Sequence, residues 1–274
     1  MLSLLLCTEV IQAQTDFAPG QIMFTGYDSD DPDAFSFVIL TDVLDGTVIY
    51  ITDRGWSNTT GFWNDNNGEG TISYEFTADY PCGTSFVFRD ILSSAPFWQA
   101  TDAYGVSTGV IAIQSGGDGN GMEFNVGPFP NFLDGDQLFI YQTPEPNPGK
   151  QIGFVTGIHM NGGSWNGDNS NDYNSQKPSG LADNQVVRFN TERDNAKYDC
   201  SPNVGASSVL QAAISNDNGS GGLISDGSNN WDESDNTYYE LLLACNFCCG
   251  TIEPMPTLSG PNQVGLNEMF TISI

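Results

Sequence analysis

Nine short segments of this chain carry apolar residues with strand-like texture: QIMFTGY (21–27), FSFVIL (35–40), TVIYIT (47–52), TISYEF (71–76), TSFVFR (84–89), GVIAIQ (109–114), QLFIYQ (137–142), QIGFVT (151–156) and QVVRFN (185–190). They are rich in β-branched and aromatic residues, and DG, NG, GG and NN clusters separate them. Short apolar runs of this kind, punctuated by turn residues, predict a mainly β protein: an antiparallel β-sandwich or jelly roll. In the second segment Phe35, Phe37 and Ile39 alternate with smaller residues, the pattern of a half-buried strand. One segment has a longer period. GASSVLQAAISN, from Gly205, sets Val209, Leu210, Ala213 and Ile214 at helical spacing behind Ser207–Ser208, residues suited to an N-cap. It predicts a single short helix covering one end or face of the sandwich.

The texture changes near Gly250. TIEPMPTLSGPNQVGLNEMFTISI opens with prolines and then begins a fresh β pattern. This divides the chain into a leader (1–13), a β-sandwich domain (20–249) and a linker with the start of another module (250–274).

Charge narrows the partners. Seven Lys and Arg stand against 34 Asp and Glu, for a formal net charge of −27. Such a surface repels the phosphates of nucleic acids and anionic membranes, and attracts divalent cations. After the leader, no stretch has the roughly 20 continuous apolar residues that a spanning helix needs. Leu2–Leu6 is a short apolar run, and Ala13 precedes Gln14, which reads as the end of a secretory signal peptide cleaved after Ala13. The basic n-region is missing, which leaves room for a start upstream. Leu6 stands where a lipobox would need a small residue, so Cys7 is not taken as a lipidation site.

An exported chain directs its cysteines toward disulfides rather than metal. Cys82, Cys200, Cys245, Cys248 and Cys249 remain after the leader, an odd number that leaves one free or paired outside the chain. Spacing leaves the connectivity open; Cys200–Cys245 is the pairing we expect.

GQIMFTGYDSDDPDAFSFVILTDVLDGTVIYITDRGW (20–56), GEGTISYEF (68–76), DGDQLFIYQ (134–142) and NNWDESDN (229–236) occur in that order. Together they resemble an uncharacterised β-rich domain of exported multi-domain bacterial proteins, common in Bacteroidota that use type IX secretion. PTLSGPNQVGLNEMFTISI is similar to the start of immunoglobulin-like repeats in the same kind of protein. The resemblance implies an extracellular or cell-surface location and modularity. It carries over no catalytic residue.

The acidic loops are the first candidate chemistry. Asp28, Asp30, Asp31 and Asp33 crowd one turn; Asp65, Asn67 and Glu69 lie in another; Asp118 and Asn120, then Asp168, Asn171 and Asp172, then Asp226, Asn230, Asp232 and Asp235 fill three more. Ca²⁺ takes six to eight such oxygens in flexible loops, which makes it the candidate cofactor. The rival reading is ordinary turn chemistry, for which Asp, Asn and Pro32 are well suited. DNNGEGTISYEF begins like an EF-hand loop but has Phe76 where the bidentate Glu belongs, so it is not one.

Tryptophans are the second. Trp56, Trp63, Trp98, Trp165 and Trp231 lie in or beside Gly/Asn/Asp stretches. Trp56 and Trp98 read as plugs of the sandwich. Trp63 and Trp165, in FWNDNN and SWNGDN, read as exposed rings that stack on sugar faces while Asn67 and Asn171 bond hydroxyls. Catalytic motifs are sparse: one histidine, His159, and no nucleophile elbow, zinc helix or phosphate loop. Paired carboxylates of a glycosidase leave no sequence signature. The sequence therefore supports a non-catalytic module for adhesion or for binding polysaccharide, matrix or a surface protein. A polysaccharide-acting enzyme and a purely structural spacer stand as the alternatives.

Overall fold

The computed structural model describes residues 14–29, 33–62, 70–90, 98–102, 104–116, 137–143, 146, 153–160, 165, 175–189, 193–215, 230–235, 237–241 and 245–250. Two six-stranded sheets face each other. The first has the order β15 (Trp231–Ser234), β13 (Asn195–Tyr198), β1 (Ile22–Asp28), β2 (Ala34–Ile39), β7 (Ser85–Asp90) and β8 (Trp98–Asp102), all antiparallel. The second runs β12 (Val186–Arg188), β11 (Phe154–His159), β10 (Gln137–Tyr141), β3 (Val48–Thr52), β6 (Gly70–Glu75) and β9 (Val110–Gly116). The fold is a β-sandwich, as the strand pattern predicts. One departure is the β11–β12 pair, which is parallel. The long connection from His159 to Val186 makes that possible, since parallel neighbours need a crossover rather than a hairpin.

The core lies between the sheets and is aromatic. Phe35 and Phe88 are register partners on β2 and β7, with rings stacked at 4.8 Å. Phe37 and Phe86 repeat the pairing at 5.4 Å. From the opposite sheet Tyr74 meets Phe88 edge-on at 5.0 Å, and Phe76 meets Phe86 at 5.3 Å. Offset and edge-on rings add to the burial term, so this ladder ties the layers together.

The predicted half-buried strand is instead buried on both faces: every residue of β2 is buried, as is every residue of β1. The cause is distant in sequence. Residues 237–241 cross the outer face of the first sheet, where Leu241 packs with Ala34 and Val87. Gly26 in β1 leaves that room; a Cβ there would stand 2.7 Å from a Leu241 methyl. The outer face of the second sheet is covered too. The hairpin β4 (Trp56–Ser57) and β5 (Gly61–Phe62) lies over it, setting Trp56 and Phe62 against Phe139, Tyr141 and Phe154. Trp56 and Trp98 are buried plugs, as expected.

QIGFVT forms its strand three residues late, from Phe154, because Gly153 turns the chain at φ +96° against Thr143. The helix α1 (Ser207–Ile214) forms where predicted and buries Leu210 and Ile214, while Val209 is 51% exposed. Its N-cap is Ala206, not a serine. The Ser207 hydroxyl is used elsewhere, donating to the Leu40 carbonyl at 2.7 Å and tying the helix to the end of β2.

Two disulfides are present. Cys200–Cys245 is the expected pair; Cys82–Cys249 is a second, and Cys248 is free and exposed. The short parallel pair β14 (Val204–Gly205) and β16 (Cys248–Cys249) brings Cys249 to its partner. Among the described residues no helix is long and apolar enough to cross a membrane.

Candidate functional site

Strand register divides the sandwich into two ends. In the second sheet Thr52 pairs with Phe139 and Thr71, Gly70 with Gly116, Gln137 with His159, and His159 with Arg188. In the first sheet Asp28 pairs with Ala34 and Asn195, Asn195 with Ser234, and Asp90 with Trp98. The two sets lie at the same end. The Tyr27 ring meets Phe189 at 5.5 Å, its hydroxyl donates to the Arg193 carbonyl, and the Arg193 and Phe189 amides donate to Met160 and His159. We call this the loop end. The opposite, bridged end holds both disulfides and the helix.

Four of the five acidic Asn/Gly stretches spring from loop-end strand termini: residues 30–33 between β1 and β2, 65–69 ahead of β6, 118–120 after β9 and 168–172 after β11. Both tryptophan stretches, FWNDNN and SWNGDN, belong to that set. Trp63, Asp65, Asn67, Asp168, Asn171, Asp172, Asp30 and Asp31 themselves lie outside the described residues.

The predicted site residues that are described take specific roles. Asp28 is fully buried, and its carboxylate accepts the Tyr239 amide at 3.0 Å, holding the covering segment 237–241 in place. Asp33 is half-buried, and its carbonyl accepts the Asp90 amide. Among the described residues no three His, Cys, Asp or Glu side chains are grouped to hold a metal. Trp165 is half-buried rather than fully exposed. Its ring lies 4.9 Å from the His159 ring and 5.8 Å from Phe139.

Two features of this end escaped the sequence reading. The first is Asp53, a buried residue just past β3. Its carboxylate accepts the Gly70 amide at 2.7 Å, and its carbonyl accepts the Gln137 side-chain amide. It thus links the ends of β3, β6 and β10, where two acidic stretches attach. An Asp in TDRG has nothing in its local pattern to mark it. The second is a polar row on the outer face of the second sheet, formed by Gln137, His159 and Arg188 on three adjacent strands. His159 is 1% exposed and neither ring nitrogen has a hydrogen-bond partner. Burial, with the Arg188 guanidinium adding to it, pushes the imidazole pKa down to about 3, so the ring is neutral. Burial also lowers the Arg188 pKa, partly offset by Asp183.

No protein-family model, no curated protein and no solved structure matches this chain.

Proposed function

We propose that this chain is a non-catalytic, extracellular or cell-surface binding module whose loop end takes up a polysaccharide or a surface protein, with Ca²⁺ as a stabilising ion. The observation that carries the reading is that the strand termini next in sequence to four acidic stretches and to both tryptophan stretches lie at one end of the sandwich. Sandwiches concentrate binding in the loops at one end because the sheets hold the loop anchors rigid while the loop sequences vary. Two disulfides fit an oxidising compartment. The resemblance to exported multi-domain bacterial proteins supports the same location.

The test is a glycan array and a panel of extracellular matrix proteins probed with the purified chain, wild type and Trp165→Ala. Specific binding that the substitution weakens supports the module. Binding to nothing on either panel favours the spacer. Cleavage of an arrayed glycan, lost on a single Asp or Glu substitution, favours the enzyme.

A further inference from the structure

Six of the seven cations of this chain are described, and five of them are occupied. Arg89 pairs with Glu240, Lys177 with Asp183, Arg193 with Glu233 and Asp235, and Lys197 with Asp232, while Arg54 lies over the Phe62 ring. Arg188 is the exception: its buried Nε–H has no acceptor, and it makes none of the ion pairs among the described residues, Asp183 acting on it only from beyond ion-pair distance. In a chain with 34 acidic residues an unclaimed guanidinium is unexpected. Its register neighbour is His159, nine-tenths buried and more, with both ring nitrogens unpartnered. Buried polar groups without partners cost stability and therefore call for an explanation at the site where they occur. Here the unpartnered groups sit side by side on one face of the sheet, with an aromatic ring against one of them.

We propose that Arg188 and His159 form a subsite for a single carboxylate, walled by Trp165, and that the carboxylate belongs to a uronic-acid unit of an otherwise neutral saccharide. The inference rests on the saccharide branch of the proposed function. A carboxylate satisfies the geometry of the guanidinium: it accepts from Nε–H and one Nη–H together, a planar pairing that a chloride or a hydroxyl does not make. The His159 N–H supplies a further donor from the next strand. Trp165 offers the flat apolar surface that a pyranose ring covers. The net charge of −27 sets the second half of the specificity. A polyuronate carries its own repeated negative charge and is repelled by the whole molecule, whereas one isolated carboxylate meets a cation that, among the described residues, no carboxylate claims.

The experiment uses the chain's one histidine as its own reporter, because the imidazole ¹H–¹⁵N spectrum contains a single residue. Three probes are titrated: sodium acetate, a neutral hexose disaccharide, and a disaccharide of one hexuronate and one hexose. The expected result is that acetate and the hexuronate disaccharide shift the His159 ring signals and the neutral disaccharide does not. Affinity for the hexuronate disaccharide should fall about tenfold in Arg188→Gln and less in Arg188→Lys, while any binding of the neutral sugar stays unchanged. If Arg188→Gln does not fold, the wild-type ring shifts decide alone. Acetate without effect, together with equal affinity for the acidic and neutral disaccharides, overturns the subsite and leaves the binding module standing. A ring shift with acetate but no affinity for any saccharide keeps the subsite and removes the saccharide reading.

Discussion

The two ends of the sandwich are built from the same residue types and use them in opposite ways. At the bridged end aspartates serve turns at the surface. Asp42 accepts the Cys82 amide, Asp79 the Asp45 amide, Asp199 the Ser201 amide, and Asp102 the amides of Tyr104 and Val106. The last two act within their own turns, the acceptor role that makes Asp a turn residue, while Asp42 and Asp79 join turns 40 and 34 residues apart. At the loop end Asp28 and Asp53 are fully buried and accept the amides of Tyr239, 211 residues on, and Gly70, 17 residues on. What differs is burial: Asp42, Asp79 and Asp199 are exposed and Asp102 is partly so, whereas Asp28 and Asp53 are enclosed. A bottom held by covalent bonds and a helix, and a top held by hydrogen bonds between strand ends, is a division suited to a module that binds with one end.

The contrast predicts that the bridged end carries the larger share of stability. Cys82–Cys249 spans 167 residues and Cys200–Cys245 spans 45. On the chain-entropy model their loss costs roughly 5 and roughly 4 kcal/mol. Denaturant unfolding of the Cys82→Ala/Cys249→Ala and Cys200→Ala/Cys245→Ala variants should show both as large drops in midpoint. A change under about 1 kcal/mol in either would mean that the bridge adds little to the packing already there.

Calcium tests the other end. If the acidic stretches hold Ca²⁺, the ion stabilises the fold by about 2.7 kcal/mol at a hundredfold excess over Kd. The melting temperature should rise with millimolar Ca²⁺ and return with chelator. An unchanged melting temperature removes the metal from the account of the loop end.

The smallest effect belongs to His159. Its folded pKa is pushed below the ordinary value to about 3. The unfolded chain therefore takes up a proton, as pH falls below about 6.5, that the folded chain refuses. The stability associated with this residue is full near neutrality and falls as the pH drops from 6.5 toward 3, by roughly 2 kcal/mol at pH 5. His159→Phe lacks that proton. Its stability relative to wild type should improve by about 2 kcal/mol between pH 7 and pH 5 in parallel urea titrations, which isolate this group from the many carboxylates. A constant difference across that range would mean the imidazole is charged or solvated in the native state.

The periodic apolar runs by themselves determined the layers: eight of the nine predicted strands form within a residue or two of their expected bounds, and the ninth, QIGFVT, is delayed by Gly153. Local spacing also determined the helix, because Leu210 and Ile214 need only one neighbouring surface to bury them. What stayed hidden depends on contacts between distant segments. NAKY alternates Ala196 and Tyr198 with polar residues over four positions only, too short a run to mark a strand by itself, yet it lies between β1 and β15 because both neighbours offer it backbone partners. Burial of both faces of β2 needs Leu241, about 200 residues on. The Cys82–Cys249 bridge needs the β14–β16 pairing first. The shared end of the strand termini beside the acidic stretches, and the meeting of His159 with Arg188, follow from register, which is set only when the strands dock, since a slip of one residue would move each side chain to the other face.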